Sequence, residues 1–325
     1  MNRRSWLVLL ACATAGAFAP QAATAQAYPD KPVRLINPNP AGGTADFLAR
    51  AVGDELSKGL GQSVVVENRP GAGSTVGTEV GAKAAPDGYT LMITSSPLFA
   101  VVPLLYSKLG FDPFKDFASV MVLASFNNVI VVHPDLKAST VKELIALARA
   151  EPGKLTYGST GSGTTTHLSG ELFKSMTATD IVHVPYKGAP PGLNDLMGGR
   201  LSMMVVNIPS SLPLVKAGKL RALAVTGTQR EKGLPDVPTV EEAGVPGYQA
   251  AGWFSLSVPA GTPRPIVTRL NAILAHSMKT PEFIRRMTDL GFGIVGGTPE
   301  QMDEMMKVEV QRWAPVVKAS GAKVD

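Results

Sequence analysis

A chain of 325 residues with a single cysteine, Cys12, and only four histidines has little of the usual metal and redox chemistry available to it. Cys12 falls in an amino-terminal stretch expected to be removed. The mature chain then has no thiol, which excludes a disulfide framework and a cysteine metal site. His133, His167, His183 and His276 show no metal-type spacing, so no metal and no cofactor are expected. No basic cluster is present either: the Lys and Arg residues are scattered, and nucleic acid is excluded as a partner. Fixed-period repeats and low-complexity tracts are also missing, which makes the chain globular throughout.

What is present begins with a segment for export. Arg3 and Arg4 precede an uncharged stretch from Ser5 to Pro29 whose apolar part runs Trp6 to Ala19. It is too short and too rich in Ala, Thr and Gly for a membrane span, and it reads as a secretory signal peptide over residues 1–25. Ala23-Thr24-Ala25 fits the cleavage pattern, and Ala25-Gln26-Ala27 would serve nearly as well. Ordinary Sec export is preferred to the twin-arginine route, and lipoprotein processing at Cys12 would leave too short an apolar core. Removal of 25 residues leaves 325 − 25 = 300, and loss of Arg3 and Arg4 takes the net charge from +5 to +3. That length suits two domains of about 150 residues.

Short β-branched runs alternate with helical patterns: Val33–Asn37, Asp46–Lys58, Val64–Glu67, Thr75–Ala84 and Thr90–Thr94 read as βαβαβ with a parallel sheet. The first helix places Phe47, Leu48, Ala51, Val52 and Leu56 on one face, the spacing of a helix packed on a sheet. A second series runs Val129–Val132, Thr140–Ala150, Leu155–Tyr157, Thr165–Met176, Ile181–Val184, Ser202–Val206 and Arg221–Thr226, as a domain inserted in the first. After Gly252-Trp253-Phe254 the pattern is helical, over Pro265–Lys279, Glu282–Leu290 and Pro299–Lys318, and these helices are expected to complete the first lobe. The expected class is α/β, two lobes, each a sheet flanked by helices. Lobe 1 takes 26–127 and 252–325, and lobe 2 takes 128–251. In such folds ligands bind beyond the carboxyl ends of strands.

The turns at those ends carry the candidate chemistry. Pro38-Asn39-Pro40-Ala41-Gly42-Gly43-Thr44-Ala45-Asp46 joins a strand to a helix, and its glycine amides with the helix dipole favour an anion by about 0.3–2 kcal/mol. The equally weighted alternative is a tight turn with Thr44 as N-cap and Asp46 satisfying the dipole. Tyr157 to His167 forms the second such turn, with Ser159, Thr160, Gly161, Ser162, Gly163 and Thr164 between strand and helix. It fails the dinucleotide fingerprint at Thr166, lacks the P-loop Gly-Lys-Ser/Thr, and has Thr160 where a nucleophile elbow needs serine. Anion cradling survives. His167 reads better as a helix-surface or capping histidine than as a catalytic or metal group, and the other three histidines read as structural. Lys187 could bring a cation to the cleft or be a solvated turn lysine. Thr94-Ser95-Ser96 and Asn207 end two further strands with small polar groups.

The chain resembles the Bug, or tripartite tricarboxylate transporter substrate-binding, family. The resemblance rests on Tyr28-Pro29-x-Lys31-Pro32-Val33-Arg34, Pro40-Ala41-Gly42-Gly43-x-x-Asp46, Glu67-Asn68-Arg69-Pro70-Gly71-Ala72-Gly73 and Pro86-Asp87-Gly88-Tyr89-Thr90-Leu91. It continues through Tyr157-Gly158-Ser159 to His167-Leu168, Val184-Pro185-Tyr186-Lys187-Gly188, Lys216 to Thr226, and Pro259-Ala260-Gly261-Thr262-Pro263. The resemblance implies a periplasmic Venus-flytrap receptor that holds a carboxylate between its lobes. By matching position, the contacts would come from the Gly42–Asp46 turn, Thr94–Ser96, the Ser159–Thr164 loop, Lys187 and Asn207. It further implies a membrane permease as partner. One departure stands out: Asn37-Pro38-Asn39 replaces the apolar and aromatic residues common around this proline, so no aromatic lid is expected there. Asn39 offers one acceptor and two donors, which favours a ligand with a second polar group, unless it turns to solvent and caps the Pro38–Pro40 turn.

Two other functions compete with carboxylate delivery. A secreted hydrolase would use Ser162 or Ser159 with His167, but an ordered Ser-His-acid set on a strained turn is missing. A sensory receptor docking on a signalling protein stays open. No catalytic residue is expected, and the chain is expected to act as a monomer.

Overall fold

A computed structural model of the chain describes residues 28–320. The expected signal peptide, its cleavage sites and Cys12 lie outside the described residues.

The elements run β1 Val33–Asn37, α1 Thr44–Leu60, β2 Val64–Asn68, α2 Thr75–Ala82, β3 Thr90–Ser95, α3 Ser96–Ala100, α4 Val102–Leu105 and β4 Phe117–Val132. They continue through α5 Val141–Ala150, β5 Thr156–Ser159, α6 Thr165–Thr177, β6 Val182–Pro185, α7 Ala189–Met197, β7 Met203–Asn207, α8 Ile208–Lys216 and β8 Arg221–Val225. The last are β9 Ala251–Pro259, α9 Arg264–Ser277, α10 Pro281–Asp289, β10 Gly293–Gly296 and α11 Pro299–Ser320.

The strand order is β2-β1-β3-β9-β4-β7-β5-β6, with β8 and β10 pairing on β4 off this path. The long strand β4 joins two sheets. From Phe117 to Asn127 it pairs antiparallel with β9, ending at Asn127↔Ala251, and from Asn128↔Asn207 onward it pairs antiparallel with β7. In each sheet the first strands are parallel, β2-β1-β3 in one and β7-β5-β6 in the other, as the βαβ reading required.

Both faces of both sheets are covered. Leu48, Val52 and Leu56 of α1 and Leu270 and Leu274 of α9 bury one face of the first sheet against Leu35, Leu91 and Leu256. Met302 and Met306 of α11 cover the other face with Ile36, Met92 and Trp253. The second sheet buries Ile130, Tyr157 and Val205 under Leu144 and Phe173 on one side, and Val129, Met204 and Val206 under Leu196 and Leu212 on the other. Each fully buried Leu or Phe contributes about 1.5–3 kcal/mol, so burial alone can hold a chain without disulfides.

Three details depart from the sequence pattern. The segment opening at Ala251 is the strand β9, buried on both faces between β3 and β4, before helix α9 starts. A central strand of this kind shows no polar alternation, and periodicity alone cannot find it. Met176, an apolar residue closing the helix expected over Thr165–Met176, is exposed, whereas Leu168 and Phe173 are buried. Finally, α11 starts on the first sheet, but its Trp313 and Val317 pack into the core of the second.

The two crossing segments are pinned together. Thr226 donates its N–H to Asn128 O (2.9 Å) and accepts the Asn128 N–H on Oγ1 (2.9 Å). It also accepts the Ala250 N–H on its carbonyl (2.8 Å) and donates its hydroxyl to Ala250 O (2.5 Å).

Candidate functional site

Between the sheets lies a cleft of two chambers joined at a neck formed by Asn39, Gly73, Ser74 and Thr160, which line both. The outer chamber is about 260 Å³ and includes Tyr106, Ser162, Tyr186 and Lys187; the inner one is about 40 Å³ and includes Ser95, Phe126, Thr164, Thr165, Asn207 and Phe254. The walls meet around it. Thr44 Oγ1 and Ser210 Oγ are 2.7 Å apart, joining α1 to α8. Gly73 has φ +61, and a Cβ there would come within 2.6 Å of the Ser162 carbonyl oxygen. The arrangement is therefore closed, and glycine at 73 is what lets the backbones approach.

Two helices of useful length begin at the inner chamber. Thr164 caps α6, its Oγ1 accepting from the His167 N–H, and Asn207 is the N-cap residue of α8. The first-turn N–H groups of a helix have no intrahelical partner, and with the dipole they attract an anion. Among the described residues no Asp or Glu lines either chamber, and Lys187, exposed at the outer one, is the only charged lining residue.

The second-lobe candidates are drawn together: Thr160, Gly161, Ser162, Gly163, Thr164, Lys187 and Asn207 all line the cleft. Thr160 Oγ1 lies 2.8 Å from Thr166 Oγ1, and Asn207 Nδ2 donates to Asn128 Oδ1 (2.6 Å), whose own Nδ2 donates to Ser169 Oγ (2.8 Å). Ser159 and His167 stand behind the loop. Both are buried and neither lines the chambers.

The first-lobe candidates divide. Asn39 and Ser95 line the cleft, Asn39 at the neck, with its amide donating to Asn37 Oδ1 (3.3 Å) and accepting from Ser74 Oγ (3.3 Å). It is half-buried at the neck and does not turn to solvent. Ala41, Gly42, Gly43, Thr44 and Asp46 are not lining residues. The Gly42 N–H donates to Asp46 Oδ2 (3.0 Å) and the Gly43 N–H to Pro40 O (3.4 Å), so the amides expected to cradle a ligand are taken within the turn. Burial works to raise the Asp46 pKa. The Gly42 amide, Arg50 and Asn68 outweigh it and hold the carboxyl below its ordinary value. Thr94 and Ser96 are also structural: Thr94 Oγ1 meets Ser255 Oγ (2.6 Å) and Ser257 Oγ (2.9 Å), and Ser96 Oγ accepts the Trp253 N–H (3.4 Å).

Sequence reasoning missed Thr165, Ser74, the Pro70–Gly73 turn and the aromatic wall Tyr106, whereas the Tyr186 phenol, which the sequence could place at the cleft beside Lys187, lines it. The available signal was Pro70-Gly71-Ala72-Gly73 itself, where four successive residues, Gly71 to Ser74, have positive φ.

A two-lobed α/β body with its polar cleft at helix starts is the periplasmic-binding-protein, or Venus-flytrap, fold. Residues 48–322 match the tripartite tricarboxylate transporter family receptor, and the chain belongs to that family. It is similar to Protein BugT of Bordetella pertussis, 36% identical over 325 residues covering 100% of this chain and 99% of that one. Among solved structures it resembles R. palustris Rpa4515 with adipate, at TM-score 0.89 and 41% identity, over 91% of this chain and 100% of the other. It also resembles MatC of Rhodopseudomonas palustris with bound malate, at TM-score 0.84 and 31% identity, over 89% and 100%. Among the described residues no helix is long and apolar enough to cross a membrane.

Proposed function

We propose that the chain is a periplasmic receptor that closes lobe 1 (26–127 and 252–325) and lobe 2 (128–251) on a small carboxylate and delivers it to a tripartite tricarboxylate-type permease. The observation that carries this is the inner chamber, where the starts of α6 and α8 meet and no lining carboxylate competes. A chamber of about 40 Å³ suits one carboxylate and little more, since a water needs roughly 10–15 Å³ on this measure. The rest of the ligand would lie past the neck in the outer chamber. There the Asn39 amide and Lys187 favour a hydroxy-, oxo- or dicarboxylic acid over an apolar tail. The relatives holding adipate and malate support that class. A micromolar dissociation constant is expected, about −8 kcal/mol.

The test is calorimetry with adipate, malate, matched monocarboxylates and the diamide of adipate, alongside small-angle scattering. Acids that bind and compact the protein, with a silent diamide, support the reading; a diamide binding as tightly as adipate overturns it. Replacing Asn39 by Phe should reorder the acids, and an unchanged order would remove Asn39 from ligand selection.

Binding without turnover is the preferred reading. Ser159 Oγ lies 2.7 Å from His183 Nε2, but this serine is fully buried, and the histidine's pKa falls to about 3 because burial and then His167 disfavour its charge. Such an imidazole is a poor base at neutral pH. Bound solute recovered chemically unchanged after long incubation is the expected result. The receptor reading would also serve a sensor, and crosslinking to the permease in membranes separates the two roles.

A further inference from the structure

Under the second-lobe loop stands a column of three stacked rings. His167 lies on His183 at 4.2 Å and 19°, and His183 on Tyr157 at 4.7 Å and 25°. Each histidine spends a ring nitrogen on the loop above. His167 Nδ1 accepts the Gly163 N–H (3.1 Å). His183 Nε2 is bonded to Ser159 Oγ (2.7 Å), which in turn accepts the Gly161 N–H (3.2 Å). Gly161 (φ +138) and Gly163 (φ +79) are in the backbone region that favours glycine, and their N–H groups are held by these two contacts, while Thr160 and Thr164 are held by Thr166 and the Gly161 carbonyl.

We propose that His167 and His183 are positioning residues, which fix the Gly161 and Gly163 amides and so hold Thr160, Ser162 and Thr164 to the cleft. The inference deepens the ligand-site reading and rests on it for affinity only. Because a backbone N–H can only donate, His167 Nδ1 must be the unprotonated nitrogen, with the proton on Nε2. An imidazolium at 167 would put a second donor against the Gly163 N–H and release the loop. The charged groups facing the column are Glu171, which accepts from Tyr157 OH (2.6 Å), and Lys174, bonded to Glu171 (3.0 Å). Burial comes first among the causes that hold both imidazoles neutral.

Rings that merely filled space would be replaceable by any ring, so the test pairs each shape-conserving variant with one that conserves a hydrogen-bonding group. His167→Phe and His183→Phe keep a ring without nitrogen, whereas His167→Asn and His183→Gln place an amide oxygen near Nδ1 and Nε2, respectively. On the purified protein, the Phe variants should weaken adipate binding about tenfold or more, and the Asn and Gln variants should recover most of that loss. In the ligand-free protein, exchange of the Gly161 and Gly163 amide protons by NMR should be slow in the wild type and the amide variants and about tenfold faster or more in the Phe variants. Phe variants with wild-type affinity and protected amides would overturn the proposal, as would Asn and Gln variants that lose as much as Phe. Should the wild type fail to bind adipate, the carboxylate reading loses that support, and the exchange measurement still decides the positioning role.

Discussion

The two glycine turns at the starts of α1 and α6 have the same position in the fold and opposite uses. At Gly42–Gly43 the anion comes from the chain: the Asp46 carboxylate accepts the Gly42 N–H, Arg50 Nε (3.0 Å) and Asn68 Nδ2 (3.0 Å), and residues 41–46 stand outside the lining of the cleft. At Gly161–Gly163 the loop amides are bound to neutral acceptors, a serine hydroxyl and an imidazole, and the turn lines the cleft. A filled anion position stabilises the fold, whereas one left to neutral groups keeps the helix field available for a ligand. The first turn is thus expected to govern stability and the second affinity.

The largest effect should come from breaking the first turn. Asp46→Ala leaves the Gly42 N–H and Arg50 Nε without their acceptor, takes one of two acceptors from Asn68 Nδ2, and is expected to cost about 2–4 kcal/mol in urea unfolding. If stability holds and adipate affinity collapses instead, the first turn binds ligand and the contrast fails. Next is the contact between the halves. Gly73→Ala meets both a positive φ and the Ser162 carbonyl, so affinity should fall about ten- to a hundredfold and the compaction seen by scattering should be lost.

A smaller, pH-dependent effect belongs to the histidine column. His183 is neutral in the native chain down to about 3, while in the unfolded chain it takes a proton below its ordinary 6.5. Its contribution is full above about 6.5 and is lost as the pH falls toward 3. With allowance for partial solvent screening, about 1 kcal/mol should disappear between pH 7 and pH 5. His183→Gln should flatten that part of the profile, and an unaltered slope would assign it to other groups. The smallest effect is expected at Lys187, the exposed cation. Lys187→Gln should weaken a dicarboxylate about threefold at low salt and hardly at all at 1 M salt, read by calorimetry.

Much of the scaffold was legible because it follows local rules. Helix α1 was visible in the 3.6-residue spacing of Leu48, Ala51, Val52 and Leu56, all of them buried. The parallel strands were visible as β-branched runs between turns. Strand β9 was not, since a strand buried on both faces has no alternating pattern to show. Nor was the upstream half of β4.

At the site, the sequence determined composition: which strand-to-helix turns are rich in glycine and hydroxyls, and that no metal-type or nucleophile-elbow spacing is present. Tertiary structure decided allocation, because it sets which of these groups face the cleft and which are turned to partners inside the fold. Thr94 and Ser96 had the composition of ligand contacts, yet β9 claims them through Ser255, Ser257 and the Trp253 N–H. The Gly42 amide is four residues from the Asp46 that takes it, a contact local enough for sequence to offer as an alternative but not to choose. The Gly161 amide depends on His183, 22 positions further on in β6, and only the pairing of β5 with β6 brings that ring beneath the loop.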